Sequence, residues 1–347
     1  MESHPFEPPA TDKALKRGLT FGLLGLLVVV LPVLAIGQTE LAEGALADLW
    51  ERSRLGPLLL SWAMVPVAFY LLGLRWRALI PPPYSASGGG LAAILSAGLL
   101  INTALPGPVG EFGAAWFAHK RYKIPLPLTL ASGVGARLVG VWMAAASAVL
   151  VWVFADLPTP ESWEGAVGSV AGLIGAAGLG LGLLVLMPQL VRQLSAKTIG
   201  RLQAGRLGRI AQGIDRMVEE VTEAQEALKA QGGVGYIACF MWSLLAHLVV
   251  LGGIAIAVWS VGATLSLPGL LFTYAATTAG VIVMFALPGS QVGWDALFLG
   301  LLVTTAGLST PDALLITVVV RVQQLSVMVA GAVSLSWLLK DTTSSSP

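Results

Sequence analysis

Four ionisable side chains lie within long apolar stretches of this sequence: Glu111, Arg137, Asp295 and Arg321. A charged side chain costs roughly 2.5–3.5 kcal/mol at the centre of a bilayer on insertion scales, so such residues persist where they are paired, hydrated or used. Glu111 precedes Arg137 by 26 residues, and Asp295 precedes Arg321 by the same interval. The arginines could bind a phosphate group through forked donors, and the carboxylates could hold those arginines or carry protons.

The residues around these charges also match between the two segments. Each acid follows a Pro-Gly pair and precedes a further proline, at Pro106-Gly107 and Pro127 in the first segment and at Pro288-Gly289 and Pro311 in the second. A shift of 184 residues aligns the second proline and the arginine of each segment. This repetition indicates two copies of one structural unit.

The sequence alone leaves the use of the charges open. On a purely structural interpretation, Glu111–Arg137 and Asp295–Arg321 are neutralised pairs that hold neighbouring helices together. We favour a functional interpretation, in which they line a polar pathway, because buried ion pairs stabilise a fold less than apolar packing does. Pairing within each copy is itself an assumption, since Glu111 could face Arg321 across an axis that relates the copies.

The composition places these charges in a membrane. Hydrophobic residues make up 56% of the 347 residues and charged residues 11%, whereas soluble globular domains have about 25% charged residues. The net charge of +1 provides no general attraction for nucleic acid. The single cysteine, Cys239, excludes an internal disulfide, and the three separated histidines form no ligand cluster. We therefore expect an all-α polytopic membrane protein without a metal, a cofactor or a nucleic-acid partner.

Apolar stretches of about 20 residues are predicted to cross the hydrocarbon core as helices. The candidates are Leu19–Gly37, Gly56–Leu74, Leu126–Phe154, Ala166–Met187, Val234–Val261 and Leu314–Leu339. The Pro-Gly pairs interrupt two further apolar regions, 88–118 and 267–307, so each region is predicted to be a re-entrant hairpin that enters and leaves on the same side. Asn102 and Gly110 belong to the first hairpin motif, and Gly293 belongs to the second.

Lysine and arginine are concentrated in alternate predicted loops. With the N-terminus in the cytoplasm, sixteen basic residues lie inside and two outside, so both termini are predicted to be cytoplasmic and the chain to lie in the cell membrane. The hairpins then open to opposite sides, which divides the chain into inverted half-repeats, 19–155 and 165–187 with 234–339. The tails, 1–18 and 340–347, and an amphipathic linker, 188–233, are predicted to be cytoplasmic.

Three smaller features are interpreted as structural. Trp76, between two arginines, is predicted to anchor its helix at the membrane surface. His247 is predicted to be a hydrogen-bonded packing residue. A stripe of small residues is predicted to pack against another helix, and it consists of Gly168, Gly172, Ala176 and Gly180.

The two hairpin motifs resemble those of a known family. Leu105-Pro-Gly-Pro-Val-Gly-Glu111, with Asn102 before it and Arg137 after it, is similar to the first motif of the lysylphosphatidylglycerol synthase transmembrane-region family, a flippase-like domain. The second motif of that family is similar to Leu287-Pro-Gly-Ser-Gln-Val-Gly-Trp-Asp295, although the family has more glycines there and ends the motif with glutamate. Family members that make lysyl-lipid carry a soluble aminoacyl-transferase domain after the membrane part, and this chain ends at Pro347, so that activity is not expected.

The favoured hypothesis is a flippase-like protein that translocates an anionic phospholipid or a lipid-linked intermediate between leaflets. Broken helices in inverted repeats commonly form transporter binding sites, and the helix that starts near Gly110 would offer free N–H groups to a phosphate. One alternative is an intramembrane enzyme that acts on lipid phosphate, but no catalytic constellation is evident in the sequence, so an enzyme is not expected. Another is a membrane partner or scaffold for a lipid-modifying transferase.

Overall fold

The computed structural model describes residues 51, 54–104, 109–186, 193, 219–226, 232–284 and 290–344. Within these ranges the chain forms helices and no strand, which confirms the predicted all-α class. The predicted first span, Leu19–Gly37, lies outside the described residues, as do Pro106, Gly107, Pro288 and Gly289. Of the predicted linker, residues 219–226 are described and are helical.

The helices follow one another along the chain with short connections. They are α1 (Leu55–Arg77), α2 (Gly88–Ala104), α3 (Val109–Tyr122), α4 (Leu126–Phe154), α5 (Glu161–Leu186), α6 (Val234–Ser260), α7 (Leu267–Met284), α8 (Ser290–Thr304) and α9 (Thr310–Ser344). By length and apolar composition, α1, α4, α6 and the part of α9 up to Leu339 can cross a membrane. The predicted membrane-embedded helical architecture is therefore confirmed.

Matched prolines begin the two longest of these helices. Pro127 occupies the first turn of α4, and Pro311 is the second residue of α9. Proline suits this position because its fixed φ is helical and the first-turn N–H groups have no partner within the helix. Ser309 also caps α9, since its Oγ accepts the Asp312 backbone N–H at 3.3 Å and donates to Asp312 Oδ2 at 2.6 Å.

Two long helices, α1 and α6, pack against each other in antiparallel orientation. Gly235 at the start of α6 lies against the Ala78 carbonyl, just beyond the end of α1, whereas Gly253 lies against Ser61 near the start of α1. The Arg54 N–H also donates to the carbonyl of the last α6 residue, Ser260, at 2.9 Å. Small residues permit this close approach of two backbones.

The remaining large contacts are reciprocal between the two parts of the chain. The helix α4 packs on α7, where the alanines of α4 meet Phe272 and the alanines of α7 in one buried cluster. The helix α9 packs on α2 in the same manner, with Met328 among the buried leucines and isoleucine of α2. Each long helix therefore completes its packing on a helix from the other part of the chain.

The predicted surface position of Trp76 is wrong. Only 2% of this residue is exposed, and its ring N–H donates to Ser132 Oγ on α4 at 3.0 Å. An indole enclosed by protein on all sides cannot rest among lipid headgroups, so Trp76 joins α1 to α4.

The predicted packing stripe on α5 is also wrong. Gly172 and Gly180 are exposed and have no atom within reach of an added Cβ. The helix instead buries a neighbouring face, formed by Val167, Ala171 and Ile174, in the cluster with α4 and α7. Apolar side chains bury more surface than glycines do, and this difference selects the face.

Candidate functional site

The structure joins each membrane acid to the arginine of its own half. Glu111 lies in the first turn of α3, and its Oε1 contacts Nη1 of Arg137 on α4. Asp295 lies on α8, and its Oδ1 accepts a hydrogen bond from Nε of Arg321 on α9 at 2.5 Å. In both halves, the second helix of the broken pair is thus tied to the long helix that follows it.

The first pair is supported by the other residues of its motif. Asn102 on α2 donates from Nδ2 to Glu111 Oε1 at 3.1 Å, and its Oδ1 accepts the Gly110 N–H at 2.6 Å. Asn102 therefore caps α3 and orients its carboxylate at the same time. Gly110 lies so close to Gly98 and Asn102 that an added Cβ would overlap both. A side chain at position 110 would separate α2 from α3.

The second pair lies in a more enclosed setting. The Arg321 side chain is 5% exposed and Asp295 is 26% exposed, whereas Arg137 and Glu111 are 32% and 25% exposed. Arg321 also donates to the Gln324 side chain, and its guanidinium carbon lies 4.9 Å from the centre of the Trp294 ring. This arginine has several protein partners and little access to anything else. Gly293, the remaining motif residue described here, is exposed on α8.

A cavity of about 310 Å³ lies between the two parts of the chain. Its walls come from α1 to α4 on one side and from α6 to α8 on the other, and they are mostly apolar. The polar lining residues are Arg75, Asn102, Glu111, Thr129, Arg137, His247, Tyr274 and Thr278.

The four predicted charges relate to this cavity in different ways. Glu111 and Arg137 line it, together with Asn102. Asp295 and Arg321 are not among the lining residues, but Trp294, whose ring faces Arg321, is. The structure thus brings one predicted pair into the cavity and places the other behind an aromatic ring.

Sequence reasoning missed Arg75 as a site residue. It lies in the last turn of α1 and was assigned with Arg77 to a cytoplasmic loop, yet its side chain lines the cavity. Its Nε is buried without a hydrogen-bond partner. The sequence contained a signal for this: residues two apart on a helix point about 200° away from each other, so Arg75 and Arg77 cannot face the same side.

His247 forms part of the cavity wall and links three helices. Its Nε2 lies 3.0 Å from the Gly140 carbonyl on α4, and its Nδ1 lies 2.6 Å from the Tyr274 hydroxyl on α7. A carbonyl only accepts, so Nε2 carries a proton, and in the neutral ring Nδ1 accepts the tyrosine O–H. Both ring nitrogens are satisfied in the neutral form, and this wall of the cavity needs no added charge.

Metal chemistry finds no support in the described ranges, where no group of three or more His, Cys, Asp or Glu residues could hold a metal ion. Cys239 is fully buried in α6 among apolar neighbours. The chemistry available in the cavity is therefore that of guanidinium, carboxylate, amide and hydroxyl groups.

Comparison with known proteins gives one match. A family model described as the lysylphosphatidylglycerol synthase TM region matches residues 21–331. No curated protein and no solved structure matches the chain. The matched range includes both acid–arginine pairs and every wall of the cavity.

Proposed function

The chain belongs to the lysylphosphatidylglycerol synthase transmembrane-region family, and from this membership we propose that it moves a lipid with an anionic headgroup between membrane leaflets. The substrate class is an anionic phospholipid or a lipid-linked intermediate of similar charge. The proposed location is the cell membrane, with both termini in the cytoplasm.

The observation that carries this proposal is a cationic cavity between apolar helices. Two arginines and one carboxylate line it, so its formal charge is positive by one unit when all three are ionised. A volume of about 310 Å³ is at the small end of the range for ligand sites. The cavity therefore suits a headgroup, while the acyl chains remain in lipid.

The packing of the helices supports the proposed inverted relation of the two halves. In that relation α1 corresponds to α6, α2 to α7 and α4 to α9. A twofold axis in the membrane plane would place α1 antiparallel to α6 and would make the α4–α7 contact equivalent to the α9–α2 contact. Both arrangements occur. Halves related in this way can rock about a central site and expose it to each side in turn.

In the proposed cycle, the Glu111–Arg137 pair serves as an exchangeable clamp. Glu111 neutralises Arg137 while the cavity is empty, and a phosphate oxygen competes for the same guanidinium when a headgroup enters. Asn102 holds the carboxylate in place during this exchange. The Asp295–Arg321 pair, behind Trp294, is proposed to act at the corresponding point of the second half.

Reconstitution into liposomes with a fluorescent phosphatidylglycerol tests this function. The unmodified protein should expose inner-leaflet label to an added quencher, and the double variant Arg137→Ala, Arg321→Ala should lose most of that activity. Arg77→Ala is the matched control, because it removes an exposed basic residue outside the cavity. Equal rates for a correctly inserted double variant and the unmodified protein would remove the arginines from the pathway. Release of phosphate by the purified protein would instead favour an enzyme.

A further inference from the structure

We propose that Arg75 is the main anion-binding group of the cavity and that it binds a singly charged phosphodiester. This inference deepens the proposed function and rests on it for the source of the phosphate. It assigns a ligand to a residue that neither motif contains.

The first argument is the charge of Arg75 compared with its surroundings. Arg137 faces Glu111, and Arg321 faces Asp295. In the part of the chain that the structure describes, the Arg75 guanidinium has no hydrogen bond and no ion pair, and its Nε is buried. A cation enclosed by apolar helices is costly unless an anion accompanies it. The cavity beside the guanidinium is where that anion can lie.

The second argument is the position of Gly140. An added Cβ at this residue would overlap with Nη1 of Arg75, so the absence of a side chain is what lets the guanidinium lie against α4. The carbonyl of Gly140 accepts from His247, which Tyr274 holds in turn. Helices α4, α6 and α7 thus form a fixed wall for the guanidinium.

The third argument concerns the magnitude of the ligand charge. Glu111 neutralises Arg137, and His247 is satisfied as a neutral ring, which leaves one net positive charge at Arg75. A phosphodiester carries one negative charge and would neutralise the cavity, whereas a phosphomonoester dianion would leave an excess negative charge in an apolar setting. The charge balance therefore favours the headgroup linkage of a phospholipid over a free phosphate.

Binding to purified protein in a neutral sugar detergent and phosphate-free buffer tests this assignment. The probe is dihexanoylphosphatidylglycerol, titrated by calorimetry, with inorganic phosphate in a parallel titration. Arg75→Gln should weaken lipid binding about tenfold or more, because a charge-assisted bidentate contact is lost. Arg75→Lys should fall between the two, since it keeps the charge and loses the fork. Unchanged lipid affinity of Arg75→Gln would overturn the assignment.

The glycine provides a matched steric pair. Gly140→Ala should weaken binding severalfold by displacing the guanidinium. Gly135→Ala, on the same helix, should bind as the unmodified protein does, because its Cβ would meet only Leu79 at 3.5 Å. Equal affinities of the two alanine variants would contradict the proposed role of Gly140.

Thermal unfolding separates a binding role from a structural one. Without added anion, Arg75→Met should unfold at the same temperature as the unmodified protein or higher, because it removes an unpaired cation. A lower unfolding temperature would show that Arg75 holds the fold together, which would overturn the proposal. The measurement needs no ligand, so a failure of transport does not affect it.

The two titrations and the liposome assay distinguish the possible failures. Arg75-dependent binding of inorganic phosphate without lipid binding would overturn the phosphodiester assignment in favour of a free-phosphate site. Arg75-dependent lipid binding by a protein that moves no lipid would support the site and overturn the function. Lipid movement that continues with unchanged binding in Arg75→Gln would overturn the site alone.

Discussion

At the scale of single residues, three membrane arginines occupy three different electrostatic environments. Arg321 is enclosed and has a carboxylate, an amide and an aromatic ring as partners. Arg137 has a carboxylate and access to the cavity. Arg75 lines the same cavity without a counter-charge among the described residues. Partners of the protein's own and availability to a ligand are opposed properties, so the order Arg321, Arg137, Arg75 is also the expected order of increasing participation in binding.

The two acids should differ in their effect on stability. Asp295→Asn leaves the enclosed Arg321 without its anion, and removing one partner of a buried pair costs roughly 3–5 kcal/mol. Glu111→Gln should cost less, about 1 kcal/mol, because both members of its pair are partly exposed and solvent screens them. Thermal unfolding in detergent should therefore rank Asp295→Asn below Glu111→Gln. The reverse ranking would contradict the difference in burial as the controlling factor.

The repeated motif made both ion pairs predictable, whereas the role of Arg75 was not. Pairing could be inferred from the equal spacing of acid and arginine in two apolar segments. The direction of the Arg75 side chain depends on the rotation of α1 about its axis, and contacts with α4 and α6 determine that rotation. Hydropathy reads a basic residue at the end of an apolar run as the start of a loop, so Arg75 and the buried Trp76 were both assigned to the membrane surface.

At the scale of elements, the α2–α3 pair depends on the absence of side chains at one crossing point. Asn102 makes two hydrogen bonds there, and Gly110 lets the helices approach closely enough for both. The equivalent pair, α7 and α8, is joined differently, through the hydroxyls of Thr273 and Thr305 at 2.9 Å. The two halves thus share an arrangement of helices without sharing its internal contacts.

Alanine at Gly110 should separate α2 from α3. We expect Gly110→Ala to lower the unfolding temperature and abolish lipid binding, because its Cβ would overlap with backbone and with Asn102. Asn102→Ala should cost about 1–2 kcal/mol through loss of the cap and of the carboxylate contact. Gly89→Ala is the matched control, since nothing lies within 4 Å of its Cβ. Equal stability of Gly110→Ala and Gly89→Ala would contradict the close approach.

Element boundaries were largely predictable because apolar length and proline position determine them. The predicted Leu126–Phe154 is α4 without change, and α9 begins at Thr310, four residues before the predicted Leu314, because Ser309 and Pro311 start the helix. The face that a helix buries was harder to predict. The glycine stripe of α5 indicated a packing surface, but the larger side chains of Val167 and Ile174 are the ones buried.

At the scale of the whole molecule, the proposed inverted halves make a prediction about the sides of the membrane. Gly89 at the start of α2 and Thr264 just before α7 are both exposed. In the variant Cys239→Ser, cysteines introduced by Gly89→Cys and Thr264→Cys should react with an impermeant maleimide from opposite sides, the first from the cytoplasm. Unmodified protein should react little, since Cys239 is fully buried. Labelling of both positions from one side would contradict the inversion.

The choice of partners among the helices could not be predicted from the sequence. Small residues on α1, α6 and α9 indicate that these helices can approach others closely, but many pairings satisfy that condition. The structure selects α1 with α6 and α9 with α2, where Gly331 lies against the Ser96 carbonyl. These contacts depend on the summed fit of whole faces and not on any single pair of residues.

The reciprocal packing has a consequence for biosynthesis. The face of α4 that receives α7, formed by Ala144, Ala145 and Ala148 with their neighbours, is inserted into the membrane well before α7 has been translated. Until then lipid or an insertion factor must cover it, and the cavity has only one of its two walls. A ribosome that stalls between α4 and α7 would therefore leave a fragment with an uncovered helix face, which is the kind of substrate that membrane quality-control proteases remove.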